Sequence, residues 1–126
     1  MKNISKVYRN MSTVIPKDIV KRKNIKNHDF VKWIIKNKTN EIFLEILFKE
    51  DINPDRIDGI IKKEDCIIIY RNIYPKNHLI LPAEVEQALN FDLKIHLLKW
   101  SIMDDKIKID KIRRINLQNI SGILKE

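Results

Sequence analysis

Residues Ser12–Trp33 read STVIPKDIVKRKNIKNHDFVKW, and a second stretch, His78–Trp100, reads HLILPAEVEQALNFDLKIHLLKW. With Pro16 set on Pro82, Ile15 falls on Leu81, Ile19 on Val85, Asn24 on Asn90 and Ile25 on Phe91. One extra residue in the second stretch then brings Lys32-Trp33 onto Lys99-Trp100. The chain reads as a tandem duplication. Proline, apolar residues, asparagine and tryptophan recur and are assigned to the fold. Lys17, Lys21, Arg22 and Lys23 do not recur and are the better candidates for function.

Each copy has the same local pattern. A β-prone run meets a proline, which fixes φ and lacks an N–H and so suits a strand exit or the first helical turn. In the first copy the spacing predicts a strand over Ile4–Asn10, a very short strand Thr13–Ile15, a helix Lys17–Lys23, a turn at 26–29, and a hairpin of Phe30–Lys36 and Glu41–Lys49. Asn24 and Asn90 each follow a helix, where asparagine tolerates the left-handed C′ position. In the second copy the expected strands are Cys66–Tyr74, Leu79–Leu81, Lys94–Ile102 and Lys106–Ile112, with a helix near 83–89 and an Asp104-Asp105 turn.

The register of the second copy's first strand stays open. Tyr70-Arg71-Asn72 repeats Tyr8-Arg9-Asn10 at a separation of 62 residues, whereas the prolines lie 66 apart. Either four residues are inserted around 74–77, or Tyr74 is the counterpart of Tyr8. The domain plan is a basic first repeat over 1–49, a linker over 50–66, a degenerate second repeat over 67–112 and a tail over 113–126. Within the linker, Asn53-Pro54 and the spacing of Ile57, Ile60 and Ile61 predict a short helix over 54–63, with Gly59 against it. Asp51, Asn53 and Asp55 mimic a calcium loop, but Arg56 and Lys62 stand where glycine and glutamate are needed.

A unit of about 50 residues buries too little surface to be stable alone, so the two repeats are expected to share one core. Only two glycines argues against Gly-rich phosphate loops, and the single Cys66 precludes an intrachain disulfide and a Cys-based zinc site. No apolar run approaches the roughly 18–20 residues that span a bilayer, and the N-terminus lacks a signal-like h-region, so a soluble, cytoplasmic protein is expected. No catalytic constellation is visible; a non-enzyme with no cofactor and no metal is expected. His28, His78 and His96 lack partners at metal spacing, and Trp33 and Trp100 fit a shared core better than base stacking.

The net charge is +8 and sits on one repeat: residues 1–49 carry twelve Lys/Arg against four Asp/Glu, while residues 50–126 carry thirteen of each. Such a face suits a polyanion, nucleic acid above all, although a lysine-rich solvated surface has the same composition.

With Thr13-Val14-Ile15-Pro16, the helix after it, Asn24-Ile25 in place of the usual Gly-Ile, and Asp29 opening a strand, the first repeat resembles the AbrB/MazE/SpoVT swapped-hairpin family. The resemblance covers about residues 4–48 well and 67–112 more loosely. It implies a mainly β fold with short helices, an AbrB-like swapped-hairpin barrel formed here as an intramolecular pseudo-dimer. It also implies binding of duplex DNA as a transcription regulator. Lys6 and Lys21 match basic positions of the family pattern. Ser12 and Val20 stand where arginines are often found, and Met11 and Asn77 where a glycine is. Arg9, Lys17, Arg22, Lys23 and Lys26 offer charge nearby, and His78 and Gln87 are the second copy's counterparts of Ser12 and Lys21. Of these, Arg9, Arg22, Ser12, Thr13 and Gln87 are expected to reach base edges. Two rival readings accompany this one. In the first, the chain is an antitoxin that binds its own promoter and grips a toxin through the tail motif Ser121-Gly122-Ile123-Leu124-Lys125. In the second it is a protein-assembly module, with homo-oligomers and no DNA.

Overall fold

The computed structural model describes residues 3–26, 29–48 and 59–114. The described chain is mainly β, with two short helices. In order it runs β1 (Ile4–Ser5), β2 (Ser12–Val14), α1 (Lys17–Arg22), β3 (Phe30–Lys36), β4 (Ile42–Leu47), β5 (Gly59–Lys62), β6 (Cys66–Asn72), a 3-10 turn (Pro75–Asn77), β7 (His78–Ile80), α2 (Ala83–Leu89), β8 (His96–Met103) and β9 (Lys106–Arg113). Seven strands form an open antiparallel sheet in the order β1-β8-β9-β4-β3-β6-β5, and β2 pairs with β7 in a separate ribbon. The β8–β9 hairpin therefore lies against β1 of the first repeat, and the β3–β4 hairpin against β6 of the second.

The pairing between repeats is self-complementary, as a two-fold interface must be. In the ribbon, Thr13 faces Leu79, its own counterpart 66 residues on, while Ser12 faces Ile80 and Val14 faces His78. Ile15 N–H donates to the Asn77 carbonyl at 2.9 Å, and Leu81 N–H donates to the Met11 carbonyl at 2.9 Å, the same bond made twice. Where the two hairpins meet, Ile42 faces Ile109 and Leu44 faces Ile107, again crossed about a central pair, Phe43 and Lys108.

The register of the first strands follows from the same relation. Lys99 faces Ile4 in one half and Lys32 faces Tyr70 in the other, so Ile4 corresponds to Tyr70 and Tyr8 to Tyr74. Tyr8 N–H donates to the Ser12 carbonyl and Tyr74 N–H to the His78 carbonyl, at 2.9 and 2.8 Å, in agreement. The repeated Tyr-Arg-Asn tripeptide is thus not a structural equivalence.

Both helices end as expected. Asn24 (φ 52°) and Asn90 (φ 50°) adopt the left-handed conformation. Ile25 N–H returns to the Val20 carbonyl and Phe91 N–H to the Glu86 carbonyl, closing each last turn. Met11 (φ 63°) and Asn77 (φ 60°) are left-handed too, at the positions where glycine would carry no steric cost. The turn at Met11 is why β1 stops at Ser5, with only a bridge from Val7 to Thr13, rather than running to Asn10. The expected linking helix is also corrected. Gly59–Lys62 is a strand, paired with β6 from Gly59–Tyr70 to Lys62–Ile67, because adjacent β-branched Ile60 and Ile61 extend a β-prone edge. The first part of that helix, 54–58, lies outside the described residues, as does the tail from 115 onward. Strand β8 begins at His96 rather than Lys94, because residues 92–95 form a turn closed by the His96 N–H on the Asp92 carbonyl at 2.9 Å.

One core joins the repeats. Ile15 and Leu81, Ile19 and Val85, Val7 and Ile73, and Trp33 and Trp100 are each buried with their counterparts in a single cluster. Both tryptophans are core residues. A smaller cluster of Ile34, Cys66 and Ile68 lies apart from it. Glu41, just before β4, bridges to Lys108 on β9 at 3.4 Å. Its carboxyl is held below the usual range by the Thr39 hydroxyl first and by Lys108 second.

The two halves differ in how they satisfy buried polar atoms. Trp100 Nε1–H donates to Ser5 Oγ at 2.8 Å, and Thr13 Oγ1 lies 2.8 Å from both Ser5 Oγ and the Lys6 carbonyl. With one proton per hydroxyl, the chain that satisfies all three runs from Trp100 to Ser5 to Thr13 to Lys6. In the other half Arg71 and Leu79 replace Ser5 and Thr13, and Trp33 Nε1 has no hydrogen-bond partner among the described residues. At the mouths of β3 and β8 a different exchange occurs. Asp29 accepts the Lys26 N–H through Oδ2 at 2.9 Å, whereas His96 accepts the Asp92 N–H through Nδ1 at 2.9 Å. An accepting Nδ1 requires a neutral ring. Burial, first, and then the nearby Lys111 push the His96 pKa down, Asp92 opposing.

Two outcomes follow from these bonds. Ser5→Ala should lower the unfolding free energy in urea melts by about 1–3 kcal/mol, since it leaves a buried indole N–H without an acceptor. As pH falls below about 6.5, the unfolded chain takes up a proton at His96 before the folded chain does. The stabilisation is therefore fully present above that pH and lost below it. Thermal melts from about pH 8 to about pH 5 should show this decline, and His96→Gln should flatten it.

Candidate nucleic-acid interface

Helix α1 is placed by Pro16 at its start and by Ile19, whose side chain is fully buried. Its outer side exposes Lys17, Lys21 and Arg22, with Lys23 half-buried at the C-cap. Arg22 Nε lies 3.4 Å from Asp18 Oδ2 one turn back, an exposed pair of small energetic weight that still directs the guanidinium along the helix. Lys26 is exposed just beyond.

The β1–β2 connection presents a second basic group. Lys6 and Arg9 are exposed, and Lys6 Nζ sits 5.6 Å from the centroid of the Tyr8 ring, itself 48% exposed. Lys6, Tyr8, Val14, Pro16 and Lys17 line one concavity of about 250 Å³, so the β1–β2 connection and the start of α1 form one continuous surface. Lys21, Arg22 and Lys23 do not line it.

Two expected contacts are corrected. Ser12 and Thr13 were expected to reach base edges, but Thr13 is fully buried, with its hydroxyl held between Ser5 and the Lys6 carbonyl. Ser12 is 9% exposed, and its Oγ donates to Asn10 Oδ1 at 2.6 Å. Both hydroxyls serve the turn and the ribbon. His78 is half-buried, with Nδ1 3.0 Å from the Pro75 carbonyl, while Gln87 is exposed on α2. The second helix carries Glu84 and Glu86 in its first turn and no basic residue in its last.

Other groups belong here that sequence reasoning did not single out. Lys6, Tyr8 and Arg9 share a pocket of about 360 Å³ with Leu93, Lys94 and Arg114. Lys94 comes from the second repeat and Arg114 from the start of the tail, within residues 50–126 whose charges cancel as a total, so that count hid them. Tyr8 and Tyr74, and Val14 and Ile80, are counterparts that all stand exposed beside the ribbon. A larger cleft of about 620 Å³ beside α2 mixes signs, with Glu86 and Asp92 against Lys94, Lys111 and Arg113. Lys111 Nζ is already engaged by the Asn90 carbonyl at 3.3 Å.

Among the described residues no His, Cys, Asp and Glu side chains gather into a metal-binding group. Cys66 is buried and unpaired, and Asp104 and Asp105 are exposed in the β8–β9 turn. No helix among the described residues is long and apolar enough to cross a membrane. His28 and the tail motif Ser121–Lys125 lie outside the described residues. Comparison of the chain with protein-family models, with curated proteins and with solved structures finds no match in any of the three.

Proposed function

We propose that the chain is a DNA-binding transcriptional regulator of the AbrB-like type, a single-chain pseudo-dimer that engages duplex DNA through the basic side chains of its first repeat. In this reading the sheet and ribbon together are the small barrel of that family, each repeat lending its hairpin to the other. The observation that carries the proposal is uneven charge on an even frame. At positions 66 apart, Lys17, Lys21, Arg22 and Lys23 of the first repeat stand opposite Ala83, Gln87, Ala88 and Leu89 of the second. The second repeat builds the same helix without those charges, so the fold does not require them. Exposed Lys6, Arg9, Lys17, Lys21, Arg22 and Lys26, with Lys23, would set affinity through phosphates. With the Ser12 and Thr13 hydroxyls turned inward, sequence preference would rest on DNA shape more than on base edges. The single basic repeat suits an asymmetric site.

Gel shifts with A/T-rich duplex across a salt series test this. Affinity should fall as salt rises, and Lys21→Glu with Arg22→Glu should weaken binding about tenfold or more and reduce the log–log salt slope by about 2. Gln87→Glu should change little. No shift at low salt, or affinity indifferent to salt, overturns the proposal.

A further inference from the structure

The pocket where the β1–β2 connection meets the turn before β8 has features that duplex binding does not call for. Lys6, Arg9, Lys94 and Arg114 converge on its wall, and no carboxylate lines it among the described residues. None of the four forms an ion pair among the described residues. Like charges converging around a concavity repel one another, and a bound anion relieves that repulsion. Arg114 Nε is moreover sealed from solvent without a hydrogen-bond partner among the described residues. Buried donors are rarely left so.

The pocket is also too large and too apolar for a bare phosphate. Its volume of about 360 Å³ falls in the range of small-molecule sites. Leu93 and the half-exposed ring of Tyr8 supply part of the wall, and an exposed aromatic beside basic groups is the usual platform for stacking a base. We propose that this pocket binds a single nucleotide, with its phosphate among Lys6, Arg9, Lys94 and Arg114 and its base against Tyr8. The site is built once. Positions 66 residues on from Lys6 and Arg9 hold Asn72 and Pro75, so the other half lacks two of the four cations. The nucleotide is either free in solution or carried at an unpaired strand end, since both present the same phosphate and base. This inference shares Lys6 and Arg9 with the proposed duplex surface but rests on Lys94, Arg114 and Tyr8.

Isothermal titration of the full chain with deoxythymidine 5′-monophosphate, with a 5′-phosphorylated single-stranded tetranucleotide, and with inorganic phosphate tests it. Saturable binding is expected for the mononucleotide or the tetranucleotide, tighter than for inorganic phosphate. Tighter tetranucleotide binding assigns a strand end, and tighter mononucleotide binding a free ligand. Lys94→Glu, at an exposed position, should weaken binding at least about tenfold, and Tyr8→Ala by about tenfold, the loss of one stack, while Tyr8→Phe retains it. Unchanged melting temperatures certify the fold of each variant. Lys21→Glu with Arg22→Glu should leave nucleotide affinity within about twofold, whatever it does to duplex binding, so the two proposals fail separately. The site is overturned if neither nucleotide probe saturates below about 1 mM, if inorganic phosphate binds as well as they do, or if Lys94→Glu has no effect.

Discussion

The antiparallel meeting of Thr13 with Leu79 is the constraint on which the rest depends. A strand residue paired with its own counterpart sets the two repeats in a two-fold relation, and the other pairings between the repeats obey it. The β8–β9 hairpin must then lie against β1, and the β3–β4 hairpin against β6. Neither repeat completes a sheet from its own strands. The core answers to the same relation, since Ile19 and Val85, or Trp33 and Trp100, fill one cluster from opposite sides. A unit of about 50 residues is marginal alone, and the shared cluster adds to the surface buried within one chain.

Much of this was legible in the amino-acid order, for identifiable reasons. Pro16 and Pro82 end strands because they cannot donate to a ladder, and Asn24 and Asn90 mark helix ends because few other residues accept a left-handed backbone. Such signals are local and need no knowledge of pairing partners. The hairpin of Phe30–Lys36 and its return strand was visible from alternation alone. What failed was whatever depends on pairing partners. The Ile57, Ile60 and Ile61 spacing suited a helix, yet Gly59–Lys62 found the edge of β6, and tertiary pairing outweighed local period. The identical Tyr-Arg-Asn tripeptides left the register of the first strands open, and hydrogen bonds at Tyr8 and Tyr74 fix it.

The candidate site residues were legible only in part. The basic set of α1 could be found by comparing the two copies, because charge without recurrence is charge the fold does not need. Ser12 and Thr13 could not be sorted that way. Whether a hydroxyl faces solvent or closes a turn depends on neighbours eight residues away and on a tryptophan from the other repeat, as the Trp100, Ser5 and Thr13 bonds show. Asp29 and His96 make the complementary point. A carboxylate and an imidazole share no resemblance in a sequence alignment, yet each accepts the N–H that closes the same turn.

Two repeats within one chain need not stay alike. In a homodimer every substitution appears twice, so a cluster of four cations near the interface would be built on both sides and its repulsion doubled. A single chain is free of that restriction. It keeps Trp100 hydrogen-bonded while leaving Trp33 Nε1 without a partner among the described residues, and it places Lys6 and Arg9 in one half while Asn72 and Pro75 occupy the other. Because the hairpins cross, those cations meet Lys94 and Arg114 from the far end of the sequence. The repeats share the interior, and the cluster of cations belongs to neither of them alone.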